Sequence, residues 1–557
     1  MTWLEENDLI SDEQNGFRKL RNCIDHIHSL YSIVQNRLLQ QNETFCCFVD
    51  AQKAFDSLSR ECLRYKLQSL GIQGRFYNAI KSLYTDVKFS VRVNGTLSEW
   101  FDAPGGVKQG CLLSPALFSI YVNNLADEFN ELGHGVDCGD RNVSLLMYAD
   151  DLVLIAPSAA KLQLMLDHLH TWCHKWRMRL NKDKTKIIHF RRKNTPKTAH
   201  MFTCGELDIK LTEKYKYLGL WFQEHLDLNV MVKLVSQAAT RALGKMITKF
   251  KQCGQHVYSC YKKLYDSCVL PVILYGAGIW GYKEFPIVNT VQNKASRFFL
   301  GVPAQSPNVG TQGEMGWASL SVATKVEMVR LWCRLKRTSN NRLTKHIFEW
   351  SSSLAAEGRR NWNFMVTKLF EDLNLRHLQD NFELYTSRFI VNTVQEKLNV
   401  CDVEKWHHNL WNDVNKPNGN KLRTYRKFKS ELVAEPYLLL NQNTYQRRSL
   451  SKLRIGVLPL EIETGRHTRP SVPLNERICT LCNLNVCETE CHFMLECPLY
   501  DDQRQPLLER VLNIEPLFNS LNMEEQLVYL MSHEHIQGCL IKTVHNMFYR
   551  RQIFTTK

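Results

Sequence analysis

Tyr148-Ala149-Asp150-Asp151, set between the apolar runs Val143–Met147 and Leu152–Ala156, constrains this chain more than any other stretch. The flanks favour strands and Asp favours turns, so the segment predicts a β-hairpin with two adjacent carboxylates at its tip. Neighbouring carboxylates repel, and a fold that keeps both ionised commonly does so around a divalent cation. Two-metal phosphoryl transfer uses such a pair, with ions roughly 3.5–4 Å apart. A solvated turn explains an isolated Asp-Asp equally well, so the rest of the chain decides.

A second apolar run, Phe45–Val49, ends on Asp50 and predicts a buried strand delivering a third carboxylate at its edge. Next come Ala51–Asp56 and an amphipathic stretch through Leu58, Cys62, Tyr65 and Leu70, closed by Gly71. Carboxylates on two strands can share paired Mg²⁺ ions, which prefer hard oxygen ligands. Between the acids lies Gly105-Gly106-Val107-Lys108-Gln109-Gly110-Cys111-Leu112-Leu113-Ser114-Pro115. Its glycines allow close backbone approach to a ligand, and Ser114 with Pro115 predicts a capped helix burying Leu117, Ile120, Tyr121 and Leu125. Val87, Phe89, Val91 and Val93 alternate up to Asn94-Gly95, a two-residue hairpin signal.

Taken in order, these segments resemble the reverse transcriptase of non-LTR retrotransposons. The resemblance rests on Phe48-Val49-Asp50 with Ala54-Phe55-Asp56, Gln109-Gly110 with Ser114-Pro115, Tyr148–Asp151, and Asn181 with Lys184-Thr185. Gln14, Gly16, Phe17 and Arg18 resemble the element before the first acidic strand, and Tyr217-Leu218-Gly219 the primer-grip hairpin. Order and spacing agree from about residue 8 to 225. Leu274-Tyr275-Gly276 with Trp280, then Leu300-Gly301-Val302-Pro303, resemble the thumb and post-thumb region.

The resemblance implies an α+β fold: a right-hand polymerase palm of antiparallel sheet packed on helices, a helical thumb, a mainly helical C-terminal region and a small zinc knuckle. It implies RNA-directed DNA polymerase activity, with attack of a primer 3′-oxygen on the α-phosphate of a dNTP. Asp50, Asp150 and Asp151 would bind two Mg²⁺ ions, Asp50 and Asp150 most directly. Phe55 would bar a ribose 2′-hydroxyl, and Gln109 and Gly110 would position the nucleotide and template base. Arg18 would join the substrate contacts, and Lys184 would protonate the leaving pyrophosphate, in competition with Lys182 and Lys186. RNA template, DNA primer or target and dNTPs are the implied partners, and target-primed copying implies the nucleus, with room for a cytoplasmic ribonucleoprotein stage. The chain starts close to the Gln14–Arg18 element, so a truncated copy is expected. A catalytically inactive nucleic-acid-binding remnant is the alternative. A nucleotide cyclase explains the acids but not Gln109-Gly110, Tyr217–Gly219 and the Cys/His cluster together.

The 557 residues carry 71 Lys+Arg against 56 Asp+Glu, a net charge of +15 that suits a polyanionic partner. No secretory signal opens the sequence, because Glu5, Glu6, Asp8, Asp12 and Glu13 interrupt it. No apolar run of about 20 residues predicts a spanning helix. The 19 Cys, mostly single within apolar stretches, read as thiols of a reducing compartment. The expected parts are a lead-in at 1–40, palm at 41–225, thumb at 226–310, helical connector at 311–470, knuckle at 471–505 and helical tail at 506–557. Within them, Ile24, Ile27, Tyr31 and Val34 predict one helix face, and Leu162, Met165, Leu166, Leu169, Trp172 and Trp176 another. A boundary near 310–345 and a linker at Lys416–Asn420 are also expected. Lys421–Lys429 with Arg447-Arg448 reads either as a track for a nucleic-acid backbone or as a basic helix face.

Finally, Cys479-x2-Cys482-x9-His492-x4-Cys497 has zinc-ligand spacing. Four protein ligands would close the ion's coordination, which favours a structural over a catalytic site. Cys487 and Cys491 are competing ligands. The cluster resembles the C-terminal knuckle of the same retrotransposon group, as Lys452–Arg454 to Gly465-Arg466 resembles its tail.

Overall fold

The computed structural model describes residues 2–254, 257–412, 420–440 and 442–555. The chain is mixed α/β, with its sheet in the first 225 residues and a helical C-terminal region. Contacts divide it into two units. One holds residues 1–234, 278–282 and 328–387; the other holds 235–277, 283–327 and 388–557. One division, at 327/328, falls within the helix Leu320–Lys336. Most of the expected linker, residues 416–419, lies outside the described residues.

In the first unit, helix α1 (Cys23–Leu39) leads into strand β1 (Thr44–Asp50), which is followed by α2 (Arg60–Ser69) and α3 (Ser114–Val122). Strands β2 (Leu145–Tyr148) and β3 (Asp151–Ala156) form the expected hairpin. Then come α4 (Ala159–Lys175), β4 (Lys186–Phe190), β5 (Phe202–Cys204) and β6 (Leu207–Leu211). The six strands lie in the order β5-β6-β4-β1-β3-β2. All neighbours are antiparallel except β4 with β6.

Strand β1 sits centrally and is buried on both faces. Phe45, Cys47 and Val49 enter the main core with Leu154, Leu166 and Trp172, while Phe48 points the other way onto Tyr215. That period-2 alternation follows from the pleat. Helix α4 buries the predicted stripe from Leu162 to Trp172, with Trp176 just beyond it.

Two local expectations are corrected. Helix α2 buries Leu63, Lys66 and Leu67, and leaves Tyr65 64% exposed. Lys66 remains inside because its ammonium lies 3.8 Å from the Trp176 ring centroid and donates to the Tyr121 carbonyl. In α3, Leu113 occupies the cap position, so Ser114 does not cap; its hydroxyl donates instead to the Lys108 carbonyl at 2.7 Å. The bond ties the glycine-rich loop to the helix. Asn94-Gly95 makes the expected turn, both residues at positive φ, between two-residue strands.

In the second unit, the basic run 421–429 turns inward. Tyr425 and Arg426 are buried, Lys429 pairs with Glu435, and Arg423 pairs with Glu490. Arg447 donates to the Phe299 carbonyl at 2.8 Å. Of the two readings of this segment, the nucleic-acid track loses these charges, because Glu435 and Glu490 pair with Lys429 and Arg423. Among the described residues, no helix is long and apolar enough to cross a membrane.

Candidate active site

Antiparallel register pairs Asp50 at the end of β1 directly with Asp151 at the start of β3. Directly opposed Cα atoms in such a ladder are about 4.5–5.5 Å apart. Asp150 occupies the turn between β2 and β3 and is exposed. Asp50 thus meets the adjacent pair Asp150-Asp151, far along the chain, at one end of the paired strands. Burial pushes the Asp151 carboxyl up to about 6, Asp150 and Asp50 push the same way, and Lys184 opposes them.

The Asp50 backbone is tied on its far side. Its N–H donates to Thr185 Oγ1 at 3.2 Å, and its carbonyl accepts the Asn181 N–H at 2.8 Å. Asn181 also accepts the Lys184 N–H at 3.3 Å, which turns the loop so that Lys184 Nζ comes 3.7 Å from Asp50 Oδ1. Lys186, by contrast, donates to the Lys182 carbonyl at 3.3 Å. The loop thus brings Lys184 to the acids.

Ala149 in the turn holds φ +57°, which costs free energy for any residue with a Cβ. Gln14 sustains it: its Oε1 accepts the Ala149 N–H at 2.9 Å, and its Nε2 donates to the Ala149 carbonyl at 3.4 Å. Gly16 makes the approach possible, since a β-carbon there would fall 2.3 Å from the Ala149 nitrogen. The sequence singles out both residues but not this task. A glutamine two positions before a glycine is the available signal, and the partner lies 135 positions away.

Phe55 is half-buried and stacks on Phe118, with ring centroids 4.8 Å apart. The Phe55 carbonyl accepts the Val107 N–H at 2.8 Å, joining this residue to the loop that carries Gln109. Gln109 and Gly110 are exposed, Gly110 with φ +83° and open space around it. Arg18 points elsewhere. Its guanidinium is buried against Glu5 at 2.6 Å and the carbonyls of Ile10, Ser11 and Gln14, so it braces the chain rather than facing the acids. Opposite Asp50, strands β7 (Lys214–Tyr217) and β8 (Leu220–Gln223) turn through Leu218-Gly219, both at positive φ. Tyr215 stacks on Phe48 at 4.4 Å, and its hydroxyl is pushed up to about 12 by burial and the charges of Asp151 and Asp50.

The family described as reverse transcriptase (RNA-dependent DNA polymerase) matches residues 1–222. This segment is a reverse transcriptase domain. It contains the three acids, the loops and, but for the last residue of the second, both hairpins just described.

Curated relatives agree. The chain is 27% identical over 310 residues to the probable RNA-directed DNA polymerase from transposon BS of Drosophila melanogaster, covering 54% of this chain and 34% of that protein. It is 24% identical over 299 residues to the RNA-directed DNA polymerase from mobile element jockey of the same organism, covering 52% and 32%. Against the Pol polyprotein of the R2DM element it is 30% identical over 217 residues, covering 38% and 20%. The chain spans about a third of the length of the first two. A telomerase structure from Candida albicans matches at 13% identity and a TM-score of 0.28, covering 63% of this chain and 57% of that one.

A second cluster lies in the other unit. One ligand atom from each of Cys479, Cys482, His492 and Cys497 falls within 4.8 Å of the others. An antiparallel bridge joins Ile478 to Cys487, and a wide π-helical turn from His492 to Glu496 returns the chain to Cys497. Cys487 is outside the set, its thiol facing the Leu474 carbonyl at 3.4 Å, and Cys491 is outside it too. His492 Nδ1 lies 3.2 Å from Glu496 Oε2, the kind of carboxylate contact that orients a metal-binding imidazole.

Proposed function

We propose that the chain is the RNA-directed DNA polymerase part of a non-LTR retrotransposon protein, extending a DNA primer along an RNA template. The cross-strand pairing of Asp50 with Asp151, beside Asp150, carries this reading. The fold it implies is a right-hand palm built on the six-stranded sheet, with a helical thumb and a zinc knuckle further along.

Asp50, Asp150 and Asp151 are the residues that would hold Mg²⁺. Hard carboxylates, with Asp151 raised by burial and then by its two acidic neighbours, fit a divalent ion. Bound there, paired ions would offset charge on the α-phosphate and assist loss of the primer 3′-proton. The remaining work belongs to side chains. Lys184 stands next to Asp50, so its ammonium serves as proton donor to the departing pyrophosphate. Phe55, backed by Phe118, presents a wall where a ribose 2′-hydroxyl would project. The Gln109-Gly110 loop, tethered through Val107 and Ser114, lets backbone and amide reach nucleotide and template. Most of the rate enhancement comes from placement and charge complementarity. Cys479, Cys482, His492 and Cys497 would close a tetrahedral Zn²⁺ site, since thiolates and one imidazole with no open position suit structural zinc. RNA, DNA and dNTPs are the partners, and the nucleus is the site of action.

Primer extension tests the reading. Purified chain with RNA template, DNA primer, dNTPs and Mg²⁺ should incorporate label, and the Asp150→Asn, Asp151→Asn double variant should not. Incorporation no greater than the double variant's, with RNA binding intact, would replace the polymerase with a non-catalytic nucleic-acid-binding remnant.

A further inference from the structure

Phe17 is left unused by the chemistry above, yet the fold sustains an unfavourable arrangement there. Its φ is +61°, a conformation that L side chains rarely adopt, and the residue is 51% exposed. Backbone strain of this kind persists only where the surroundings over-determine it, and it concentrates at functional positions. The surroundings do so here. Gln14 is bonded on both sides of Ala149, Gly16 lies flat against that residue, and Arg18 is anchored by Glu5 and three carbonyls. Phe17, between these anchors, has little freedom to move.

The fixed ring meets Phe55 edge-on, with centroids 6.4 Å apart and planes at 88°. Phe118 supports the same ring by stacking at 4.8 Å and 22°, and Phe118 is itself buried. A ring stacked on one neighbour can slide across it; a second neighbour meeting it edge-on stops the slide. We infer that Phe17 is a positioning residue for nucleotide selection, holding Phe55 against the sugar of the incoming nucleotide. The inference rests on the polymerase reading and on Phe55 as the sugar wall, and extends both to a residue that precedes β1. It also links two parts of the site, because the segment that restrains Phe55 clamps the turn bearing Asp150.

Steady-state incorporation of dNTPs and rNTPs by the full chain, comparing wild type with Phe17→Ala, Phe17→Leu, Phe17→Tyr and Phe55→Val, tests it. An edge-to-face aromatic contact corresponds to about a 2- to 10-fold preference. Phe17→Ala and Phe17→Leu should therefore raise rNTP kcat/KM relative to dNTP by that factor, through a lower rNTP KM, with dNTP kcat unchanged. Phe17→Tyr should keep the wild-type ratio. If Phe55→Val relaxes selection while the Ala and Leu variants do not, the inference falls and the sugar wall stands. Equal losses with both nucleotides mean a purely structural Phe17, which also overturns it. An unchanged ratio in Phe55→Val, or no incorporation by wild type, removes the underlying reading and the inference with it.

Discussion

At the scale of residues, the active site concentrates like charge. The Asp151 carboxyl, raised to about 6 by burial and then by Asp150 and Asp50, titrates above an ordinary aspartate. The metal-free native state therefore holds a proton that the unfolded chain releases between about pH 4 and 6. In that window stability falls as pH rises, and above it the repulsion is fully present. A divalent cation competes with that proton, so its affinity should rise as pH climbs through 6, by at most about tenfold per unit below the pKa. Calorimetric titration with Mn²⁺ at pH 5, 6 and 7 measures this, and Asp151→Asn should flatten the profile. Equal affinity at all three values in the unaltered protein would mean that Asp151 is not a ligand. The acids are legible in the sequence because apolar runs on both sides announce their strands. Gln14 as the turn's clamp is not, since nothing local to it names Ala149 as its partner.

Elements show the same limit. Periodicity places Ile24, Ile27, Tyr31 and Val34 on one face of α1 and registers no second packing face. Yet the helix is buried almost all round from Asp25 to Val34. The other side is covered by the segment 328–387 of the same unit: Asn36 Nδ2 donates to Ser351 Oγ at 3.0 Å, and the His28 ring meets Trp362 at 4.6 Å. A hydrophobic pattern registers one packing surface, and polar residues such as Asn36 and His28 conceal the second. The basic run 421–429 misleads in the opposite direction, because the charges that neutralise it, Glu435 and Glu490, come later in the chain. Two histidines of α1 carry a testable consequence. Burial pushes His26 and His28 down to about 3, with Arg21 and Arg334 respectively adding to it. Both stay neutral in the native state while the unfolded chain protonates them below about pH 6.5. Their contribution is therefore complete above that pH and drains away as pH falls toward 3, by up to about 1.4 kcal/mol per unit for each. Urea midpoints at pH 7.5 and 5 should separate more in the unaltered protein than in His28→Phe. Identical separations would show that His28 does not drive the acid sensitivity.

For the whole molecule, the division into two units makes the Cys/His cluster more than a local clip. Glu488, 1% exposed, links it to the C-terminal helix: Oε1 lies 3.8 Å from Cys479 Sγ, and Oε2 accepts from Arg551 Nη2 at 2.9 Å. Glu490, also buried, accepts from Arg423 Nε at 3.1 Å, and Arg504 Nη2 donates to the Cys497 carbonyl at 2.9 Å. Two buried glutamates between the ligand pairs, with the Cys497 carbonyl, thus fasten the cluster to three other segments of the second unit. Structural zinc supplies about 10–16 kcal/mol of apparent folding free energy in small domains. Burial drives the Cys479 thiol up to about 12, so without a cation this thiol stays protonated and the attraction that gathers the cluster is lost. A chelator, or His492→Ala, should then speed amide exchange in 479–500 and also in 537–555, where Arg551 loses its partner. The strand 44–50 belongs to the other unit and should exchange as before. Purified protein should carry one zinc per chain, and the exchange change should reverse when zinc is restored. Faster exchange confined to 479–500 would break the proposed link to the C-terminal helix, because Glu488 would then hold Arg551 without help from the ion.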